Sequence, residues 1–151
     1  MNSTGFEAPH TLLDLGDTLT ISASDNLEHW QHLNKAQFSV WGYAESLSEC
    51  RYGSIPSPLF ALAGPHWLGG LGFTWHPAPG SDELGLWINV VYVLASHRRR
   101  GIASALIQHA CDIHAEQPLY VLSEYPELYQ RLGWRSVANQ DRGTILVFRG
   151  P

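Results

Sequence analysis

The feature that most constrains the fold is a long apolar segment followed directly by a basic turn and an amphipathic helix. Residues 84–94 read LGLWINVVYVL, a length and composition typical of a buried central strand. Residues 101–115 then place Ile102, Leu106 and other apolar side chains on one helical stripe. Because both apolar surfaces must be covered, this unit predicts a sheet with the helix packed on its face.

The remaining patterns predict a mixed α/β fold, with residues 1–151 forming one domain and residues 1–12 loosely held. Asp25, with Glu28 three residues later, is the expected N-cap of a first helix. A second helical piece is expected through Phe38, Trp41 and Tyr43 towards Leu47. The other predicted elements are strands at 18–22, 59–63, 67–75, 119–122, 134–138 and 144–149, and a short helix at 126–132.

Composition excludes several classes of protein. The 151 residues are 44% apolar and only 15% charged, which rules out a disordered chain. No apolar run approaches the roughly 20 residues of a membrane span, and the first residues show no secretory signal. Cys50 and Cys111 lie far apart and form no CxxC motif, so we expect buried thiols and a cytoplasmic protein.

Positive charge is scarce and concentrated at one point. The net charge is −5, which argues against a dedicated nucleic-acid binder, yet Arg98, Arg99 and Arg100 are three of only nine basic residues. The triplet precedes a helix that opens at Gly101, where unpaired N–H groups and the helix dipole attract anions. The segment therefore predicts a phosphate site, although an RRR triplet alone is more often a solvated turn.

Two motifs in this order resemble one family. Arg98-x-x-Gly101-x-Ala103 matches the [QR]xxGx[GA] signature of the GNAT superfamily of acetyl-CoA-dependent N-acetyltransferases, with Val93 at the expected spacing. The segment 128–134, LYQRLGW, resembles the family's YxxLGF/W stretch. The resemblance covers about residues 57 to 149. Two departures are Ala95, where the family often has proline, and Ser123, near a place where many members have asparagine.

The resemblance implies a fold and a cofactor. The expected fold is a central, mostly antiparallel twisted sheet of six to seven strands with a splayed parallel pair, flanked by about four helices. Acetyl-CoA is the implied acyl donor, and no metal is expected. Its pyrophosphate would bind the segment Arg98, Arg99, Arg100, Gly101, Ile102, Ala103 and Ser104, mainly through backbone N–H groups.

The resemblance also assigns the central strand. The main chain of Tyr92 and Val93 would pair with the pantetheine, exposed by a bulge or splay there. A freed backbone N–H near Val91–Val93 would stabilise the oxyanion of the transition state. Tyr129 is the implied proton donor to the leaving thiolate, since a phenol can protonate a thiolate. Tyr125 is the alternative to Tyr129, and core packing explains either tyrosine without the motif.

The acceptor and its base stay open. Glu83, Asp82, His76, Asn89 or water could take the proton of the amine, and spacing does not choose among them. Trp30, Trp41 and Tyr43 lie where the family builds its acceptor pocket, and their rings suit a cationic amine. The acceptor is a small-molecule amine or a peptide.

Two other functions compete with N-acetyl transfer. One is a non-catalytic acyl-CoA sensor or subunit of the same fold, in which Tyr129 only packs. The other is a nucleic-acid module built on the arginines, which the lack of a second basic patch disfavours. His29 and His32 have no third ligand at metal-site spacing. We expect neither nucleic-acid nor membrane partners, and monomer and homodimer stay open.

Overall fold

The computed structural model of the chain describes residues 6–8, 18–41 and 55–150. Three α-helices are present there, α1 (Leu27–Trp41), α2 (Ile102–Ile113) and α3 (Pro126–Gln130), with a 3-10 turn at Ala95–His97. The strands are β1 (Phe6–Ala8), β2 (Leu19–Ala23), β3 (Leu59–Ala63), β4 (His66–Pro77), β5 (Leu84–Val93), β6 (Leu119–Ser123), β7 (Arg135–Gln140) and β8 (Gly143–Phe148). No helix in these described ranges has the length and apolar character needed to cross a membrane.

All the strands belong to one sheet with the order β1-β2-β3-β4-β5-β6-β8-β7. Every neighbouring pair is antiparallel except β5 and β6, which run parallel. The predicted fold class is therefore confirmed. Strand β1 (Phe6–Ala8), which is one more strand than the sequence predicted, pairs with β2 and lies in the segment expected to be loosely held. Three residues are too few for a periodic pattern, so the sequence did not predict this strand.

Helix α1 differs from the prediction at its start and in its length. Its N-cap is Asn26, not Asp25, because Asn26 Oδ1 accepts the backbone N–H of His29 at 3.0 Å. Asp25 instead accepts a hydrogen bond from Ser57 Oγ at 2.6 Å. The helix then continues without a break to Trp41, so Phe38 belongs to the first helix. The predicted continuation to Leu47 lies outside the described residues.

The sheet has a hydrophobic core on each face. Helices α2 and α3 cover the larger one, which includes Leu71, Phe73 and Leu106, all fully buried. Helix α1 covers a smaller one around Leu33, Phe60 and Val90. The helix can approach closely because β4 carries glycine there: a Cβ at residue 70 would lie 3.3 Å from Leu33 Cδ1.

The parallel pair β5–β6 opens partway along its length. Register pairs run from Leu86–Leu119 to Ile88–Val121, and β5 then continues to Val93 without pairing to β6. A bulge in the β4–β5 ladder accompanies the opening, since Gly72 pairs with Val90 and Phe73 with Ile88, leaving Asn89 as the extra residue. The predicted splay is present, but its bulge lies at Asn89 rather than at Tyr92–Val93.

Candidate functional site

The turn between β5 and α2 has the conformation of a ligand loop. Leu94 N–H donates to Leu68 O at 2.8 Å, which fixes the end of β5. Arg99 and Gly101 both have left-handed φ values, 65° and 83°, and Gly101 is the N-cap of α2. Left-handed backbone explains why glycine is needed at 101. A Cβ at that position would meet nothing within 4 Å, so the space beside it is open.

The first turn of α2 presents unpaired amides. The first intrahelical hydrogen bond of α2 runs from Ala105 N–H to Gly101 O at 3.0 Å. The amides of Ile102, Ala103 and Ser104 therefore have no acceptor within the helix. No side chain caps this end. The Ile102 side chain is buried, so only its amide is available. Unpaired amides and a helix dipole are the features that attract anions, so the predicted anion site at this end stays a prediction that the geometry permits.

Arg98 is held by the protein itself. Its Nε donates to Val93 O at 2.8 Å, and its guanidinium lies over the ring of Tyr92, 5.3 Å from the centroid. The side chain therefore closes the turn from Val93 to Arg98. Arg99 and Arg100 are exposed beside it. The Arg98 side chain is thus committed to the turn, and the role of the three arginines in binding an anion stays a prediction.

Strand alternation shows which backbone groups of β5 face the opening. Leu94 N–H points to β4, whereas Val93 O points away from β4 and accepts Arg98 Nε. Because successive residues of a strand direct their backbone groups to opposite sides, Val91 shares the side of Val93. Tyr92, which pairs with Gly70, directs its backbone groups to β4. Val91 and Val93 are therefore the backbone partners that the opening presents, and Tyr92 contributes its ring.

Tyr129 lies in a buried aromatic cluster on the α2 side of the sheet. Its ring is 4% exposed and packs edge-on against Trp134 at 5.1 Å. Burial, and secondarily the neighbouring Cys111, raise the pKa of Tyr129 above its ordinary value, so the hydroxyl keeps its proton. Burial likewise raises the pKa of Cys111 to about 12, which keeps it a thiol. Tyr125, the alternative, is 70% exposed.

The register places three of the four candidate side chains, Glu83, Asp82 and His76, at the far end of β5, whereas Asn89 lies at the bulge itself, and its amide is not a basic group. Glu83 precedes the strand and is six positions from Asn89, or about 20 Å at 3.3 Å per residue. His76 pairs with Gly85, about 13 Å from Asn89 by the same rise. Asp82 lies in the same exposed loop as Glu83. A direct base needs hydrogen-bond contact, so water is the alternative that this geometry favours.

An open cleft of about 490 Å³ lies on the α1 face of the sheet, at the carboxyl end of β5. Its wall is a row of rings: His32 stacks on Trp67 at 5.4 Å, and Trp67 on Tyr92 at 6.3 Å. The residues lining it are Glu28, His29, His32, Lys35, Pro65, His66, Trp67, Tyr92 and Leu94. The N-terminus of α2 is on the opposite face, and the end of β5, with Tyr92 and Leu94 in the cleft lining, lies between the two surfaces.

The cleft differs from the predicted acceptor pocket. Trp30 packs against the smaller core around Leu33 rather than lining the cleft. Tyr43 and the side chain of Trp41 lie outside the described residues. The sequence did not predict three residues that line the cleft, Trp67, His29 and His32. A tryptophan in a hairpin strand is typical of a core, and the spacing of the two histidines is typical of a surface or core position. Within the described ranges, no group of three or more acidic, His or Cys side chains could hold a metal.

Comparison with known proteins agrees with this arrangement. A family model described as the acetyltransferase (GNAT) domain matches residues 63–136. No curated protein is detectably similar in sequence. Among solved structures, NAA60 from Arabidopsis thaliana in complex with acetyl-CoA has a TM-score of 0.66 and 16% identity, over 87% of this chain and 98% of that one.

Two further structures show the same fold. A GNAT family acetyltransferase from Brucella melitensis in complex with acetyl-CoA has a TM-score of 0.61 and 16% identity, over 88% of this chain and 89% of that one. Arabidopsis thaliana Naa50 in complex with the bisubstrate analogue CoA-Ac-MVNAL has a TM-score of 0.61 and 15% identity, over 85% of this chain and 96% of that one.

The fold is that of GNAT acetyltransferase structures, and in this chain it places a splayed parallel pair beside a glycine turn and an open helix N-terminus. The family model, which matches about half of the chain, and the fold together support membership of the GNAT superfamily.

Proposed function

We propose that the protein transfers an acetyl group from acetyl-CoA directly to a primary amine. The observation that carries the proposal is the turn at Arg99–Gly101, which opens α2 with unpaired amides beside a splayed strand. The diphosphate of CoA would bind the amides of Ile102, Ala103 and Ser104. The pantetheine would extend β5 by pairing with Val91 and Val93.

The chain's own groups can serve two further steps. When bound, acetyl-CoA supplies the activated acyl group. A backbone N–H of β5 at the opening, such as that of Val91, would donate to the carbonyl oxygen as it gains negative charge. The Tyr129 hydroxyl, kept protonated by burial, would give its proton to the departing sulfur. The amine would lose its proton to water.

The amine would approach from the α1 face through the cleft. An acceptor on this face and a cofactor on the α2 face would meet at the opening between β5 and β6, which suits direct transfer without an acyl-enzyme. Among solved structures of this fold, Arabidopsis thaliana Naa50 is in complex with the bisubstrate analogue CoA-Ac-MVNAL, and the NatC complex is bound to a Gag peptide and CoA. Small amines and peptide N-termini are therefore both to be tested as acceptors.

A pair of glycine variants tests the cofactor site. Gly101 and Gly80 both have left-handed φ, 83° and 71°, and a Cβ at either would meet nothing within 4 Å. Alanine at either position should therefore lower the free energy of unfolding by about 1–2 kcal/mol, because it strains the left-handed backbone. Only Gly101→Ala should also weaken acetyl-CoA binding, measured by calorimetry, because its Cβ enters the space beside the amides.

Thermal unfolding of the native protein with and without acetyl-CoA is the positive control for these two glycine variants. Acetyl-CoA at 100 times its Kd should stabilise the native protein by about 2.7 kcal/mol. Release of CoA thiol in the presence of amines and short peptides then measures turnover. Unchanged affinity in Gly101→Ala, or no stabilisation of the native protein at millimolar acetyl-CoA, would contradict the proposed site.

A further inference from the structure

The ring of Tyr92 contacts both surfaces described above. It stacks with Trp67, which lines the cleft, at 6.3 Å between centroids and 17° between planes. The Arg98 guanidinium also lies over the ring, with Cζ 5.3 Å from the ring centroid. Tyr92 is half-buried and packs, with Trp67, against the smaller core around Leu33.

The row of rings extends from helix α1 to the turn. Trp67 also stacks with His32 of α1, at 5.4 Å and 29°. We name His32, Trp67 and Tyr92 the aromatic row. The aromatic row begins on helix α1, which covers one face of the sheet. It ends at Tyr92, whose ring contacts Arg98 in the turn after β5.

Arg98 anchors that turn through two contacts made by one planar group. Its Nε donates to Val93 O at 2.8 Å, and this bond links the end of β5 to the turn five residues later. The plane of the guanidinium then lies over Tyr92, where the electron-rich face of a phenol attracts a cation. A lysine at this position would keep the charge but would lose both the Nε donor and the plane.

We propose that Tyr92 is a positioning residue for acetyl-CoA binding, acting through Arg98. The ring holds the guanidinium against the end of β5. The turn then keeps the left-handed residues Arg99 and Gly101 that present the α2 amides. This role rests on the proposed function, since it assumes that those amides bind the diphosphate.

A double-variant cycle separates positioning from a general loss of structure. Tyr92→Leu should weaken acetyl-CoA binding by roughly two- to fivefold, the size of an exposed cation–π contact. Tyr92→Phe keeps the ring face and should bind as the native protein does. Arg98→Lys should weaken binding at least as much as Tyr92→Leu. The double variant Tyr92→Leu/Arg98→Lys should be no weaker than Arg98→Lys, because both changes break one contact.

The outcomes distinguish the two proposals. No acetyl-CoA binding by the native protein would overturn the proposed function. Native binding combined with additive effects in the cycle, or with Tyr92→Phe as weak as Tyr92→Leu, would overturn the positioning role alone. Unfolding midpoints without ligand serve as the control. If Tyr92→Leu does not fold, the cycle is run with Tyr92→Met, whose unbranched side chain fills the position more readily.

Discussion

Single residues in this molecule depart from what their motifs imply. Arg98 is the first position of the [QR]xxGx[GA] signature, yet its guanidinium contacts Val93 and Tyr92 rather than open solvent alone. Tyr129 is the tyrosine of the second motif, yet it is 4% exposed and packs on Trp134. A motif thus identifies the position, but the neighbours decide whether the side chain or the backbone is available for chemistry.

Tyr129→Phe tests whether the buried hydroxyl is catalytic. The ring packing is retained, so acetyl-CoA affinity should stay within about twofold, whereas kcat should fall about 100-fold, as expected on removal of a general acid. Steady-state kinetics and calorimetry measure the two quantities. Tyr125→Phe, at an exposed position, is the control and should leave kcat unchanged. Unchanged kcat in Tyr129→Phe would show that the buried hydroxyl is not the proton donor, whereas acetyl-CoA binding by the native protein without turnover would favour the non-catalytic alternative.

At the scale of elements, the predicted strands and helices are present, but several of their ends differ. Alternation identified β2, since one-sided burial imposes a period of two, whereas a hairpin pattern identified β3 and β4, and a long apolar run identified β5. The start of α1 was placed one residue early, because Asp25 and Asn26 are both good caps and local sequence does not choose between them. In the structure, Asp25 accepts a hydrogen bond from Ser57, which is distant in the chain, and this contact leaves Asn26 as the N-cap.

Asn26→Ala tests the cap. Loss of the Oδ1 acceptor leaves the His29 N–H without its partner, and it should lower the free energy of unfolding by about 1 kcal/mol. Urea denaturation measures this difference. Asn26→Ser retains an acceptor and should stay within a few tenths of a kcal/mol of the native protein. Equal stability of the alanine and serine variants would show that this bond does not stabilise the helix.

At the scale of the whole molecule, buried ionisable groups limit stability on both sides of neutral pH. Burial lowers the pKa values of His109 and His114 below 6.5. It raises that of Cys111 to about 12, and that of Tyr129 above 10. All four groups are therefore favoured in their neutral forms in the native state, whereas the unfolded chain ionises them more readily.

The sign of each effect defines the stable range of pH. As pH falls below about 6.5, the unfolded chain binds protons that the buried histidines do not, so stability is lost. As pH rises above about 9, the unfolded chain loses the Cys111 proton first and the Tyr129 proton near 10, and stability is lost again. Urea midpoints from pH 5 to 11 should therefore peak between about 6.5 and 9. Cys111→Ala should flatten the alkaline side, and an unchanged slope there would contradict this assignment.

The local sequence determined the strand–turn–helix unit at residues 84–113 and the glycine turn within it, and it carried the resemblance to the GNAT superfamily. Each depends on neighbours a few positions apart, such as the left-handed Gly101 before an apolar helix stripe. Tertiary structure alone decided the bulge at Asn89, the direction of the Val91 and Val93 backbone groups, and the row from His32 through Trp67 to Tyr92. These features depend on register between strands and on which helix covers which face, and distant parts of the chain set them only when they pack.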